Sequence, residues 1–268
     1  MRRARTLDEV PDYLWRLVSL ASGRLLMLDF DGTLAPFNVA RDMARPLPRS
    51  VELLGRIASE ARTRVAIVSG RPVREIERLL GPLPAVLFGE HGWERRAVDG
   101  RLAQEAIPPG ASEAIDEAER RARTAGWGDM IERKRPTVVL HTRSLPRDQA
   151  LALEEECVEA WKGLAATGHV VMDRIDGGVE LRARGRDKGF VVESLLSESP
   201  PGTLGVFVGD DITDEDAFEA VRDRGFSVRV GEASRESSAM ALVPTVEAVA
   251  DFLEEWLAVV RAATGPAS

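Results

Sequence analysis

The pattern predicts an α/β protein, a doubly wound parallel sheet interrupted by an inserted α+β unit, and two observations carry that prediction. First, short apolar runs that end in polar, glycine-bearing loops alternate with stretches of helical periodicity, as crossover-connected parallel strands require. Second, across residues 108–183 this alternation gives way to two amphipathic helices and hairpin signals, which suit an antiparallel sheet covered by helices. The expected division is therefore 1–107 and 184–268 for the parallel unit and 108–183 for the insert. With 268 residues, 44% of them apolar, the chain can build such cores. Its net charge of −8 offers no broad attraction to nucleic acid or to an anionic membrane.

In chain order, Val10, Leu14, Leu17, Val18 and Ala21 share a helical face over residues 8–21. Residues 25–28 form a short apolar run with the reading of a buried strand, and they stop at Asp29-Phe30-Asp31-Gly32-Thr33. A proline-rich, aperiodic stretch over 35–48 is expected as a flap. Val51, Leu54, Ile57 and Ala61 mark a helix, 64–68 a strand, and Pro72 opens a helix bearing Val73, Ile76 and Leu80. A strand over 85–88 leads to GEHGWE and to a hairpin tip at Asp99-Gly100.

In the insert, helices over 111–124 and 147–165 flank residues 131–143, and 169–182 fold as a hairpin about Asp176-Gly177-Gly178. Period two sets Val138 and Leu140 against Val139, His141 and Arg143, and Val179 and Leu181 against Glu180 and Arg182. Polar residues on a solvated sheet face are ordinary, but an insert between the acid-bearing segments is expected to roof them. Asp187 then caps a helix carrying Val191, Val192 and Leu195, a strand over 204–208 ends at GDDITDED, and Val246, Val249, Leu253, Trp256 and Val260 mark a closing helix. The terminal GPAS is expected to fray. The single cysteine, Cys157, fits a core position beside Trp161, which suits a reducing cytoplasm. The basic start of the chain has no apolar stretch of signal length, and no run approaches the ~20 apolar residues of a membrane span.

Four polar groups follow apolar runs or open helices: the pair Asp29 and Asp31, the hydroxyl of Ser69, the amine of Lys188, and the acids Asp210, Asp211 and Asp214. In open parallel sheets ligands bind outside the carboxyl ends of strands, which is where these groups fall. Each has a conformational reading as well. Asp-Gly favours a turn, Ser-Gly-Arg-Pro can cap a helix, and acids suit a helix's first turn.

Their order and types resemble the haloacid dehalogenase superfamily of phosphatases, over residues 24–230. The segments SGRP, GEHGWE, ERKRPTVVLHTR, GGVELR and GDDITDEDAF are similar to the trehalose-6-phosphate phosphatase family within it. The resemblance implies a parallel-sheet core of that superfamily with a C2-type α+β cap, acting on a small sugar phosphate. It implies Asp29 as nucleophile and Asp31 as acid and base, with Thr33, Ser69, Gly70 and Lys188 on the phosphate. Magnesium (Mg2+) would be held by Asp29, the Asp31 carbonyl and Asp210, with Asp211 and Asp214 orienting waters or Lys188. Arg71, Glu94, Lys134, His141, Arg143 and Glu180 would contact the sugar or its phosphate. A phosphomutase or phosphotransferase would use the same core and is told apart by product analysis with and without an acceptor; a sugar-phosphate sensor could keep the fold, but the presence of Asp29, Asp31, Lys188 and Asp210 together argues against it.

Overall fold

The computed structural model describes residues 5–6, 11–36, 44–175, 177–233 and 235–264. Val10, residues 37–43 of the expected flap, Asp176 and the terminal GPAS lie outside these residues. The chain divides into two compact units, Met1–Ala103 with Asp187–Ser268 (unit 1) and Gln104–Arg186 (unit 2).

Unit 1 begins with β1 (Arg5–Thr6), α1 (Pro11–Leu20), β2 (Gly23–Leu28), α2 (Pro48–Ala58) and β3 (Thr63–Val68). It continues through α3 (Val73–Leu80), β4 (Val86–Gly89), β5 (Glu94–Arg96) and β6 (Leu102–Gln104). Unit 2 contains α4 (Pro109–Thr124), β7 (Ile131–Arg133), β8 (Thr137–His141), α5 (Arg147–Ala165), β9 (Val170–Ile175) and β10 (Gly178–Ala183). The chain then returns to unit 1 with α6 (Lys188–Ser197), β11 (Thr203–Gly209), α7 (Glu215–Ala220), β12 (Gly225–Val230), β13 (Ala241–Val243) and α8 (Val246–Thr264).

The sheet of unit 1 runs β1-β13-β12-β11-β2-β3-β4-β5-β6. It is parallel from β1 to β4 and turns antiparallel at β5. Strand β2 reads as an unbroken apolar run because both of its faces are covered. Leu26 and Leu28 join one buried layer with Leu14 of α1, Leu54 of α2, Ile76 of α3 and Trp256 of α8. Leu25 and Met27 join the other, with Val191 and Leu195 of α6 and Phe218 of α7. Alternate residues of one strand thus anchor helices on both sides, which is what makes the sheet doubly wound.

The sheet of unit 2 runs β7-β8-β10-β9 and is antiparallel throughout. Val138, Leu140, Val179 and Leu181 are buried as their period predicts, beneath α4 and α5. Trp161 of α5 is fully buried and donates its indole N–H to the Ala118 carbonyl of α4 at 3.1 Å, which fixes the two helices on one another. Cys157 is buried there, and burial pushes its thiol up to about 12, so it packs rather than reacts. On the polar face, Glu180 lies directly between Val139 of β8 and Asp173 of β9. No helix among the described residues is long and apolar enough to cross a membrane.

Candidate active site

The site of unit 1 starts where β2 stops. The Asp29 N–H still bonds the Val208 carbonyl of β11 at 2.9 Å, so Asp29 sits at the carboxyl ends of the two central strands. Gly32, at φ 79°, then turns the chain through a conformation that side-chain-bearing residues rarely adopt, and Leu34 N–H bonds back to Phe30 at 2.9 Å. Phe30 is fully buried, and the acids on either side of it face different partners.

Asp29 meets Lys188. The ammonium donates to Asp29 Oδ1 at 2.6 Å and to Asp214 Oδ1 at 2.7 Å, and all three side chains are buried. Lys188 is the first residue of α6, whose N-terminus Asp187 caps by accepting from Phe190 N–H at 2.8 Å. A cation there opposes the helix dipole, and the two carboxylates offset that cost. The other oxygen of Asp214 accepts the backbone N–H groups of Asp210 and Asp211, each at 2.9 Å, while Asp211 Oδ1 accepts from Ile212 at 2.7 Å. Part of the acid run therefore shapes its own turn. Thr33 Oγ1 lies 3.4 Å from Asp210 Oδ1.

Charge does not balance in this pocket. Burial raises Asp29 to about 7; Lys188 pulls against that rise while Asp214 and Asp31 add to it. Asp210 is raised well above the usual carboxylate range by burial and then by Asp29, Asp214 and Asp211. Burial raises Asp211 too. Lys188 is itself raised, because Asp214 and Asp29 outweigh the burial that disfavours its charge. Carboxylate oxygens of Asp29, Asp210 and Asp214 fall within 4.8 Å of one another. Hard oxygens crowded together, with one ammonium among them, are the donor set a divalent cation such as magnesium fits. Since Asp214 already accepts at both oxygens, Asp29 and Asp210 are the better placed of the three to hold it.

The loop after β3 is held by polar side chains. Helix α3 starts at Val73 with no side-chain cap, so Ser69 does not cap it; Ser69 Oγ instead accepts from Arg71 N–H at 3.2 Å. The Val73 N–H is taken by the buried Glu94 carboxylate at 2.7 Å, and Glu94 thus clamps this loop. Arg71 is turned inward as well. Its guanidinium is fully buried and grips Asp31 through Nε at 2.7 Å and Nη2 at 2.6 Å, with Glu75 at 3.6 Å and the Phe30 ring centroid at 5.3 Å.

Behind the loop lie Glu90 and His91, buried residues at φ 50° and 57° that the sequence does not single out, because non-glycine residues rarely adopt this conformation. Glu90 N–H bonds the Arg71 carbonyl at 2.9 Å and His91 N–H the Ser69 carbonyl at 3.1 Å. A β-carbon on Gly70 would come 2.7 Å from His91 Nε2, so a larger residue there would have to displace that ring.

In unit 2 the polar face brings Lys134 and His141 together around Glu132, a residue the sequence reading missed. Glu132 accepts or shares a proton with His141 Nε2 at 2.9 Å and pairs with Lys134 at 3.5 Å. Period two on β7 was the available signal, since Glu132 lies opposite Val139. Arg182 donates to Asp173 at 3.0 Å, and Glu180 is buried beside them. Arg143 lies past the end of β8 rather than in it, packed so closely on Gly177 that an added β-carbon would come 2.0 Å from its Cγ.

The trehalose-phosphatase family model matches residues 27–245. A probable trehalose-phosphate phosphatase of Sinorhizobium fredii (strain NBRC 101917 / NGR234) is 32% identical over 245 residues, covering 89% of each chain. The trehalose-6-phosphate phosphatase of Escherichia coli (strain K12) is 30% identical over 224 residues, covering 81% of this chain and 82% of that one. Among solved structures, the C-terminal domain of C. albicans trehalose-6-phosphate phosphatase superposes with a TM-score of 0.83 at 22% identity, over 95% of this chain and 98% of that domain. A haloacid dehalogenase-like hydrolase from Bacteroides thetaiotaomicron shares the fold at a TM-score of 0.60 and 18% identity, over 87% of this chain and 99% of that one. A parallel sheet with acids at its carboxyl ends, an inserted antiparallel unit and a family match that spans both thus agree, and the chain belongs to the trehalose-phosphatase family.

Proposed function

We propose that the chain is a magnesium-dependent phosphatase that hydrolyses trehalose 6-phosphate to trehalose and phosphate through an aspartyl-phosphate on Asp29. The observation that supports this best is the division of labour between two acids two residues apart: Asp29 lies in the Lys188 pocket, while Asp31 is held separately on Arg71. In the first step an Asp29 oxygen attacks phosphorus, the bond from phosphorus to the sugar oxygen breaks, and that oxygen takes a proton from Asp31. In the second, water attacks the phosphorus of the aspartyl-phosphate, Asp31 takes its proton, and Asp29 is released. Lys188 has three protons and spends two on Asp29 and Asp214, which leaves one for a phosphate oxygen; Thr33, Ser69 and Gly70 hold the others. Magnesium held by Asp29, Asp210 and the Asp31 carbonyl would offset the dianion's charge.

The relatives named above supply the substrate, and the polar face of unit 2 has the chemistry to read it. A sugar hydroxyl both donates and accepts, so a selective surface needs acceptors such as Glu180 and Glu132 beside donors such as Lys134, His141 and Arg143. Arg71 and Glu94, both turned into unit 1, are assigned to positioning instead of to substrate contact. The buried lone cysteine agrees with a cytoplasmic protein.

The test is phosphate release from a panel of sugar phosphates, with magnesium and with excess chelator, alongside acid-quenched phosphoenzyme. The expected result is a strong preference for trehalose 6-phosphate over glucose 6-phosphate, no turnover in chelator, and a hydroxylamine-sensitive phosphoenzyme absent from Asp29→Asn. Full activity in chelator would remove the metal, and preference for another sugar phosphate would remove the substrate.

A further inference from the structure

We propose that Arg71 is the positioning residue of the acid pair, holding Asp31 by both carboxylate oxygens in the orientation from which it delivers its proton to the leaving oxygen. This rests on the phosphatase reading above, in which Asp31 carries that proton. Three features point to positioning. The contact is a fork, with Nε on Oδ2 at 2.7 Å and Nη2 on Oδ1 at 2.6 Å, which fixes the plane of the carboxylate as well as its distance. The guanidinium is fully buried, while the Asp31 side chain remains 28% exposed, so Arg71 acts through Asp31 and Asp31 alone of the two reaches outward. The guanidinium also rests on Phe30, the residue that separates Asp31 from Asp29, at 5.3 Å.

The backbone beneath Arg71 is pinned to match. Its carbonyl accepts from Glu90 at 2.9 Å, the Ser69 carbonyl accepts from His91 at 3.1 Å, and Val73 N–H is held by Glu94 at 2.7 Å. Gly89 allows this approach, since a β-carbon there would lie 2.6 Å from Val73 N and 2.7 Å from the Arg71 carbonyl. The left-handed Glu90 and His91 and the clamp of Glu94 thus converge on one loop. Each acid of the pair has its own cation: Lys188 for Asp29 and Arg71 for Asp31. A lysine at 71 would keep a buried charge but lose the fork.

The experiment compares kcat/KM on a sugar phosphate the parent hydrolyses with kcat/KM on p-nitrophenyl phosphate, for the parent, Asp31→Asn, Arg71→Lys and Arg71→Ala. In a two-step mechanism kcat/KM reports formation of the phosphoenzyme, and nitrophenolate departs without a proton whereas a sugar alkoxide needs one. Arg71→Lys is expected to lower kcat/KM on the sugar phosphate by ~10–10²-fold, inside the ~10²–10⁴-fold that general acid catalysis supplies, with little change on the aryl ester. Arg71→Ala should regain sugar phosphatase activity in millimolar guanidinium but not in urea or sodium chloride. Equal losses on both substrates in Arg71→Lys, with Asp31→Asn still discriminating, would reduce Arg71 to a support of the fold and overturn the proposal. If Asp31→Asn does not discriminate either, the acid reading itself fails and takes the proposal with it. Because Arg71→Lys retains the buried charge, its substrate ratio decides the matter even where Arg71→Ala does not fold.

Discussion

Each unit holds a lysine in a chain with acidic partners, and the two chains are built to opposite standards. In unit 1, Asp29, Lys188 and Asp214 are no more than 5% exposed at the side chain and meet at 2.6 and 2.7 Å. In unit 2, Lys134, Glu132 and His141 have side chains 7, 32 and 39% exposed and meet at 3.5 and 2.9 Å. The first arrangement is preorganised and shielded, so its charges act at full strength where charge develops. The second shares its partners with water and can exchange them for a ligand's hydroxyls at small cost. The same residue types thus stand under different burial in the two units.

That contrast can be tested at its strongest point first. Asp29→Asn should lower phosphate release by on the order of 10⁴–10⁶-fold, because an amide cannot replace the nucleophile. A residual rate within 10-fold of the parent's would dissolve the distinction between the units. Next in size is the metal. Stripping it should stop turnover reversibly, and Asp210→Asn should raise the magnesium concentration needed for half-maximal rate by ~10–10²-fold, read from a titration of rate against magnesium.

A smaller effect is expected in unit 2. Glu180→Ala should cost ~1–3 kcal/mol in kcat/KM on the sugar phosphate and far less on an aryl phosphate, since only the former has hydroxyls to leave unpaired. Glu132→Gln should do the same more weakly, since Glu132 and His141 are each about a third exposed. Equal losses on both substrates would mean that these groups hold the sheet together.

The least effect concerns stability. Asp29 is raised from an ordinary 3.8 to about 7, so the folded metal-free protein holds this proton more tightly than the unfolded chain. The associated stability is complete below pH ~4 and is lost as pH rises toward ~7. Thermal midpoints in chelator should fall by a few degrees across that window, and both magnesium and Asp29→Asn should flatten the curve. A rise with pH in chelator that persists in Asp29→Asn would contradict the charge imbalance described for this pocket.

Much of unit 1 was legible because its signals are local. An apolar run ending in acids marked β2, and Asp187 announced the start of α6, where it caps as expected. Strands β12 and β13 were not read. In β12 the buried Ser227 and Arg229 break the apolar run, and each bonds backbone outside the strand: Ser227 accepts from Met240 N–H at 3.1 Å, and Arg229 donates to the Glu232 carbonyl just past the strand's end. Arg71 and Glu94 were placed on the substrate by resemblance, and a motif does not show that they also meet Asp31 and the Val73 N–H, 40 and 21 residues away. In unit 2, period two found the polar face but not the pairing of Glu132 with His141, which requires the β7–β8 ladder.

The position of β2 in the sheet also sets a timetable for the nascent chain. Strand β3 follows β2 closely, but β11, which must pair its other edge with Val206 beside Leu26, is made only after the whole of unit 2. Asp29 and Lys188 are 159 residues apart, an interval of on the order of ten seconds at the ~5–20 residues per second of synthesis. Throughout that interval the ribosome carries an apolar strand with one edge unpaired, a template for the wrong partner as much as for the right one. Slow, long-range closure around a strand made early makes this a protein whose yield in the cell should depend on chaperones and translation speed more than its finished stability would suggest.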